Sequence, residues 1–284
     1  MTRLIVLLVA LTAVAGLLYL GTKWRQEQQR AEEVRRAGAA AQMDTIAELR
    51  NRIADLSKTE TGRIRVNPKD GLRYVYVAAG EFQMGCSPGD AGCLEPEKPQ
   101  HPVQLRTGFW LGQTEVTQAA YEKVTKRNPS NLKGSDRPVE QVSWEEANTY
   151  CKDVGMRLPT EAEWEFAARA GSSEARYGNL AEVAWNAANS LRMTQPVAAK
   201  QPNAWGLYDM LGNAWEWTND WYDGEYYKSS PPVDPAGPVK GDAKVMRGGA
   251  AGGNADGVRV SRRAKREPVY RLYDIGFRCA GELP

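Results

Sequence analysis

The stretch "GLYDMLGNAWEWTNDWY", Gly206 to Tyr222, holds three tryptophans and two tyrosines among three acids and two glycines. It is too polar for a core strand and too aromatic for a solvated loop. Asp209 and Glu216, with backbone oxygens between them, have the composition of a hard-cation site, since calcium takes six to eight oxygens from carboxylates and carbonyls in loops. The same residues also read as surface acids beside a tryptophan-rich core, and taken alone the stretch favours that plainer reading.

The chain around it shares this character. Its 284 residues carry nine Trp and twelve Tyr against four Phe. Such a balance suits a fold whose buried rings present N–H and O–H groups to polar partners. Charged residues make up 25% and the net charge is +2, so no global field points to nucleic acid.

Upstream, regular elements are legible. "YVYVAAGEFQMG", Tyr74 to Gly85, alternates and reads as a hairpin of strands, and "VQLRTGFWLGQTEVT" continues in the same way from Val103. "TQAAYEKV" opens a short helix on Thr117. "SWEEANTYCKDVG" predicts a helix with Ser143 and Glu146 as a capping box and Gly155 as its stop, and "PTEAEWEFAARAG" repeats the device with Thr160, Glu163 and Gly171. Beyond Gly171 no helix is expected, and only short strands, Ala243 to Arg247 and Gly276 to Ala280. So long an irregular stretch needs disulfides, a metal or buried aromatic packing to hold its loops.

The amino-terminal part is different. Leu4 to Leu20, "LIVLLVALTAVAGLLYL", carries no charge and is about the shortest helix that crosses a bilayer core. The apolar run continues past the small-residue site "AVA" at Ala13 to Ala15, which favours an uncleaved anchor over a cleaved signal peptide. Trp24 to Lys58 reads as one helix, with Ile46, Leu49, Ile53 and Leu56 at a/d spacing over two heptads. It is expected to be a solvated stalk packing briefly on its own domain; a parallel coiled coil joining copies is the alternative, since two heptads fall short of the three or four such a coil wants. The expected organisation is a transmembrane anchor at 1–22, a helical stalk at 23–60, a linker at 61–72 and a domain at 73–284.

The composition restricts the chemistry. With one histidine, His101, in a Pro-flanked segment read as a surface loop, a three-histidine metal site and a two-histidine iron site are excluded within one chain. No serine stands in a nucleophile-elbow motif. Of the four cysteines, Cys86 and Cys93 flank a loop containing Gly and Pro and suit a local disulfide, and Cys151 on a helix face and Cys279 in the last strand could pin those two elements together. A four-cysteine zinc site is the alternative, with spacings unlike paired knuckles. An even cysteine count behind an export-like leader favours disulfides and an oxidising compartment.

"GEFQMG", "TEVTQAAYEKV", "RPVEQVSWEEANTYC", "MRLPTEAEWEFAAR", "PNAWGLYDMLGNAWEWTNDWY", "RGG" and "IGFRC" follow one another in that order. Together they resemble the sulfatase-modifying-factor, or formylglycine-generating-enzyme, family over about Arg73 to Gly281. The resemblance implies an α+β fold of low secondary-structure content related to C-type lectins and often holding calcium. It also implies oxidation of a sulfatase cysteine to formylglycine by two cysteines, copper and oxygen. Those cysteines follow the "GG" pair in the family. Here the aligned positions in "RGGAAGGNADGVRVSRR", Arg247 to Arg263, are Gly253 and Val258, so copper is not expected. The same stretch is a poor phosphate loop, because no Lys-Ser/Thr follows its glycines. Cys151 and Cys279 correspond to a structural disulfide of the family. Asp209 and Glu216, by side chain, and Gly212 and Ala214, by carbonyl, match a family calcium site, with Asp209 where some members have Asn. A second family calcium site uses a longer loop after the aligned Asn189; "NSLRMTQPVAAKQPN" is short here, so that site is not expected.

These observations define an expectation: a module fixed in the cytoplasmic membrane by one span, its carboxy-terminal domain on the periplasmic or extracytoplasmic side, without cysteine-oxidising activity. Arg259, Arg262, Arg263, Lys265, Arg266 and Arg271 make the segment Ala250 to Tyr273 a basic surface for an acidic glycan, a peptide carboxylate or an acidic protein. The competing readings are an oxidoreductase of the same family with divergent chemistry, and an accessory subunit bracing an envelope or secretion complex.

Overall fold

Thr117, Ser143 and Thr160 each start a helix by accepting a backbone N–H three residues on, which satisfies one of the amides that a helix N-terminus leaves unpaired. The computed structural model describes residues 23–24, 28–30, 32–33, 35–46, 48–49 and 60–283. Within residues 60–283 its α-helices are α1 (Gln118–Thr125), α2 (Trp144–Asp153), α3 (Glu161–Arg169) and the single turn α4 (Leu180–Val183). Both expected capping boxes are present, with Glu146 and Glu163 accepting in return from the Ser143 and Thr160 amides at 2.9 and 2.8 Å. The turn α4, capped by Asn179, lies where no helix was expected.

Strands β1 (Ile64–Val66), β2 (Arg73–Val77), β5 (Phe109–Gly112) and β10 (Ala280–Gly281) form an antiparallel sheet in the order β1-β2-β5-β10. A hairpin pairs β3 (Gly80–Met84) with β4 (His101–Leu105). The third sheet runs β8-β7-β6-β9, with β6 (Trp215–Trp221) antiparallel to β7 (Lys244–Arg247) and parallel to β9 (Ile275–Gly276), and β8 (Ala264–Arg266) on the edge.

Three expectations are corrected. β2 and β3 are not a hairpin but lie in different sheets. Two-residue hairpin turns need positive φ, and neither Ala78 nor Ala79 has it. The segment expected as a linker, 61–72, contains β1, which pairs with β2 from Ile64↔Val75 to Val66↔Arg73. All three β1 residues are exposed, so no alternation marks it as a strand. His101 is not in a loop but opens β4, its ring edge-on to Tyr227 at 4.8 Å.

Two apolar clusters fill the domain. One gathers Trp164, Leu207, Met210, Val258 and Val260 beneath β2, β5 and α3. The other gathers Tyr150, Trp217, Phe277 and the disulfide Cys151–Cys279, with Tyr121 stacked on Tyr150 at 5.3 Å. The second disulfide is Cys86–Cys93.

The chain divides into two compact units, Met1–Leu56 and Ser57–Pro284. The described residues between 23 and 49 are helical, with Trp24, Met43, Ile46 and Leu49 exposed. The expected membrane span at 4–20, and the seam residues Ile53 and Leu56, lie outside the described residues. Among the described residues no helix is long and apolar enough to cross a membrane.

Candidate functional site

The loop from Asp209 to β6 turns sharply three times, with Asp209, Gly212 and Asn213 at φ 55, 79 and 55°. Asp and Asn tolerate this left-handed region better than other side chains. Gly212 is required for a second reason: a Cβ there would collide with the Trp185 carbonyl. The turns carry Asp209 and Glu216 inward, to 1% and 0% exposure.

Arg278 organises what they meet. Its guanidinium forks onto Glu216 with two bonds of 2.7 Å, and it donates to the carbonyls of Gly112, at 3.0 Å, and Tyr208, at 3.0 Å. Glu216 also accepts Trp164 Nε1 at 2.8 Å. Glu115, fully buried, turns Oε1 toward the Ala214 amide at 3.4 Å. Asp209 Oδ2 accepts the Ala198 amide at 2.7 Å. The remaining oxygens, Asp209 Oδ1 and Glu115 Oε2, are buried without any donor. Burial, then the neighbouring Asp209 and Glu216, push the Glu115 carboxyl far above its ordinary range. Burial does the same to Asp209, up to about 6, against the pull of the Ala198 amide and Arg278.

Three buried carboxylates thus stand around one buried guanidinium, an excess of acids over bases. Burying unpaired charge is costly, so such a group takes up protons or a cation. The orphaned Asp209 oxygen fits the calcium site implied by the resemblance. Glu216 accepts three bonds, two from Arg278 and one from Trp164, of the roughly four a carboxylate can take, so Oε1 keeps a free acceptor position. At Asn189, Oδ1 accepts the Asn186 amide and Nδ2 donates to the Ala184 carbonyl, so that side chain is engaged by its own loop.

The basic segment separates into two groups. Arg259 is 2% exposed and forks onto the fully buried Glu97 at 2.7 and 2.9 Å, with a third bond to Asp90. Arg263 is buried, forks onto Glu161 at 2.7 and 3.0 Å, and lies over the Tyr227 ring. Neither belongs to an accessible surface, contrary to expectation: an irregular backbone leaves carbonyls and neighbouring acids that only a long, multi-donor side chain can satisfy. Arg262 is half-buried and 3.6 Å from Glu97. Lys265, Arg266 and Arg271 are exposed beside exposed Val269, Tyr270 and Tyr273, with Arg271 paired to Glu146.

Arg247 completes the buried network. It reaches Glu161 at 3.2 Å and Glu165 on α3, whose other oxygen accepts Arg169 Nε and the Gly85 amide, each at 2.9 Å. Although burial raises it, Arg263 and then Arg247 hold the Glu161 carboxyl below its ordinary value. Gly253 and Val258 flank a closed turn. Val258 is fully buried in the first apolar cluster, and a Cβ on Gly253 would press on the Ala250 carbonyl at 3.1 Å. A groove of about 440 Å³ lies between β3–β4 and Pro232–Val233, and no residue of 250–273 lines it.

Residues 61–283 match the family described as the sulfatase-modifying factor enzyme 1-like domain. The chain belongs to that family. It is 30% identical to the formylglycine-generating enzyme of Streptomyces coelicolor, over 76% of this chain and 91% of that one. It is 41% identical to the serine/threonine-protein kinase pkn1 of Chlamydia pneumoniae over 74% of this chain, but spans only 38% of that protein. Among solved structures, PvdO from Pseudomonas aeruginosa has the same fold, with TM-score 0.72 and 28% identity over 78% of this chain and 99% of that chain.

Sequence reasoning missed three buried acids of this sulfatase-modifying-factor domain, Glu115, Glu161 and Glu165. Glu161 and Glu165 sit i, i+4 on a helix whose face is otherwise Ala, Trp and Phe, a pattern that could have marked them as buried. Glu115 stands in "QTEVT", where only its Val116 neighbour hints at burial.

Proposed function

We propose that this sulfatase-modifying-factor domain is a non-catalytic recognition module, held outside the cytoplasmic membrane by an anchor at Leu4 to Leu20 and braced internally by calcium. One observation carries the non-catalytic part: all four cysteines of the chain are joined in two disulfides. No thiol is left to ligate copper, and the two aligned catalytic positions are a glycine and a core valine. Calcium, if bound at Asp209 with the Gly212 and Ala214 carbonyls, would supply the positive charge that the buried carboxylates lack and hold the loop ahead of β6.

The recognition surface is narrower than the sequence suggested. It consists of Lys265, Arg266 and Arg271 with the adjacent exposed tyrosines, a composition that suits an acidic glycan or acidic protein segment. The test has two arms on the full chain. Incubation with copper(I), oxygen and a sulfatase-type cysteine peptide is expected to give neither tight copper binding nor aldehyde; formation of aldehyde overturns the non-catalytic reading. Binding to heparin and to poly-glutamate is expected to weaken at least about tenfold in Lys265→Glu/Arg266→Glu. Both residues are exposed, so stability should change by less than about 0.5 kcal/mol. Undiminished binding would place the surface elsewhere.

A further inference from the structure

We propose that β1 is an acceptor edge to which a partner protein adds an acidic extended strand. This surface shares no residue with the Asp209 loop or with the basic group Lys265, Arg266 and Arg271.

Three observations carry it. First, β1 ends the order β1-β2-β5-β10, so its outer side has no strand partner among the described residues. The Arg63 carbonyl accepts the Tyr76 amide and the Asn67 amide donates to the Leu72 carbonyl, each at 2.9 Å. Bonded pairs alternate along an antiparallel ladder, so Arg65 faces Tyr74, and the N–H and C=O groups of Ile64 and Val66 point off the edge. Second, the edge is apolar and uncovered: Ile64 and Val66 are 42% and 59% exposed. An open edge flanked by apolar side chains is the template that strand addition uses. Third, the charge around it has one sign. Arg63, Arg65, Lys69 and Arg73 are exposed on β1, β2 and the turn between them. Arg63 pairs with Glu60 at 2.9 Å, and Lys69 donates to the Asp153 carbonyl at 2.9 Å. Among the described residues, Arg65, Lys69 and Arg73 form no ion pair. Asp70, the one acid of the turn, is buried and accepts the Tyr74 hydroxyl at 2.9 Å. Arg65 lies over the Trp110 ring at 5.1 Å, which holds its charge beside the edge without neutralising it.

These charges select the occupant. A second copy pairing antiparallel over Ile64 and Val66 sets Arg65 opposite Arg65, and like charges directly opposite destabilise a strand pair. A strand with a carboxylate opposite Arg65 and apolar side chains opposite Ile64 and Val66 matches both the charge and the ladder. A lipid headgroup matches the charge but leaves the outward N–H and C=O groups without a ladder.

The probe is a labelled peptide, Thr-Val-Glu-Val-Glu-Val-Thr, titrated at low salt into the full chain and read by fluorescence anisotropy and by amide exchange of residues 62–68. It should bind and slow exchange of that segment, and the same peptide with lysine for glutamate should do neither. Arg65→Glu should weaken binding at least about tenfold, since it turns an opposite-charge pair into a like-charge one. Val66→Pro removes an outward N–H but no bond within the sheet, a place where an edge strand tolerates proline, and should also weaken binding. Lys265→Glu/Arg266→Glu should leave it unchanged, which separates this surface from the basic one above. Lack of binding overturns the proposal. So does binding that survives Val66→Pro, which is charge attraction alone, or binding that is lost in Lys265→Glu/Arg266→Glu. Equal protection of residues 62–68 by phosphatidylglycerol vesicles overturns it in favour of a lipid surface. Should Val66→Pro fail to fold, the peptide methylated on its central amides takes its place, and equal affinity of the methylated and parent peptides overturns strand addition.

Discussion

Asp220, near the end of β6, is buried and accepts the Glu161 amide at 2.8 Å, and no ion pair reaches it among the described residues. Burial, and then Glu161, push its carboxyl up to about 8. The folded protein thus holds a proton that the unfolded chain releases above about pH 4. A group raised in this way contributes stability in full below the unfolded value and loses it as pH rises through the folded one. Stability should therefore fall between about pH 4 and pH 8, as far as this residue governs it. Asp220→Asn keeps the acceptor and removes the titration. It is expected to flatten that slope and to stabilise the protein at pH 8 by about 1 kcal/mol or more, read from urea unfolding at pH 5 and pH 8. An unchanged slope would show that Asp220 is ionised and paired. Lys244, on the adjoining strand, illustrates the opposite sign: held between the Trp144 and Trp221 rings at 4.0 and 3.9 Å, its ammonium is lowered by burial to about 8.

At the scale of elements, buried arginines tie long loops to α3 and to one another. From α3, Arg169 donates to Ser87 Oγ and the Gly85 carbonyl; Arg247 and Arg263, in and after β7, pair with Glu161 on α3, and Arg259 pairs with Glu97. Breaking a buried pair from one side leaves an uncompensated charge and costs roughly 3–5 kcal/mol. Arg259→Ala is expected to show a loss of that size, and Arg259→Met with Glu97→Leu to recover part of it, both by denaturant unfolding. A loss below about 1 kcal/mol in Arg259→Ala would mean that water reaches Glu97. The helices are simpler. Ser143→Ala and Thr160→Ala each remove a side chain that closes a capping box, and each should cost about 1 kcal/mol.

At the scale of the whole molecule, Cys151–Cys279 closes a loop of 128 residues between α2 and the end of the chain. In the chain-entropy account, a closure of that length stabilises by about 4–5 kcal/mol. Cys151→Ala/Cys279→Ala should lose several kcal/mol in unfolding, whereas removal of Cys86–Cys93, with a separation of seven, should lose less. Equal losses would locate the effect in native packing rather than in the unfolded chain.

The sequence by itself determined the elements whose signals are local. Capping boxes at Ser143 and Thr160 are written within four residues, and the motif order from "GEFQMG" to "IGFRC" marked the family. The cysteine pairing was legible in the same way, from spacing for Cys86 and Cys93 and from resemblance for Cys151 and Cys279. Only the tertiary structure decided the rest. β1 has no buried face to betray it, and β2 and β3 part into separate sheets because β2 pairs with β1 and β5 while β3 pairs with β4. Arg259 and Arg263 look like surface charge in sequence and are core ion pairs in space, since an arginine's burial depends on whether a distant carboxylate comes to meet it. Glu115 is the clearest case: nothing within "QTEVT" says that Asp209, nearly a hundred residues away, will lie close enough to push its carboxyl up, after burial has done so.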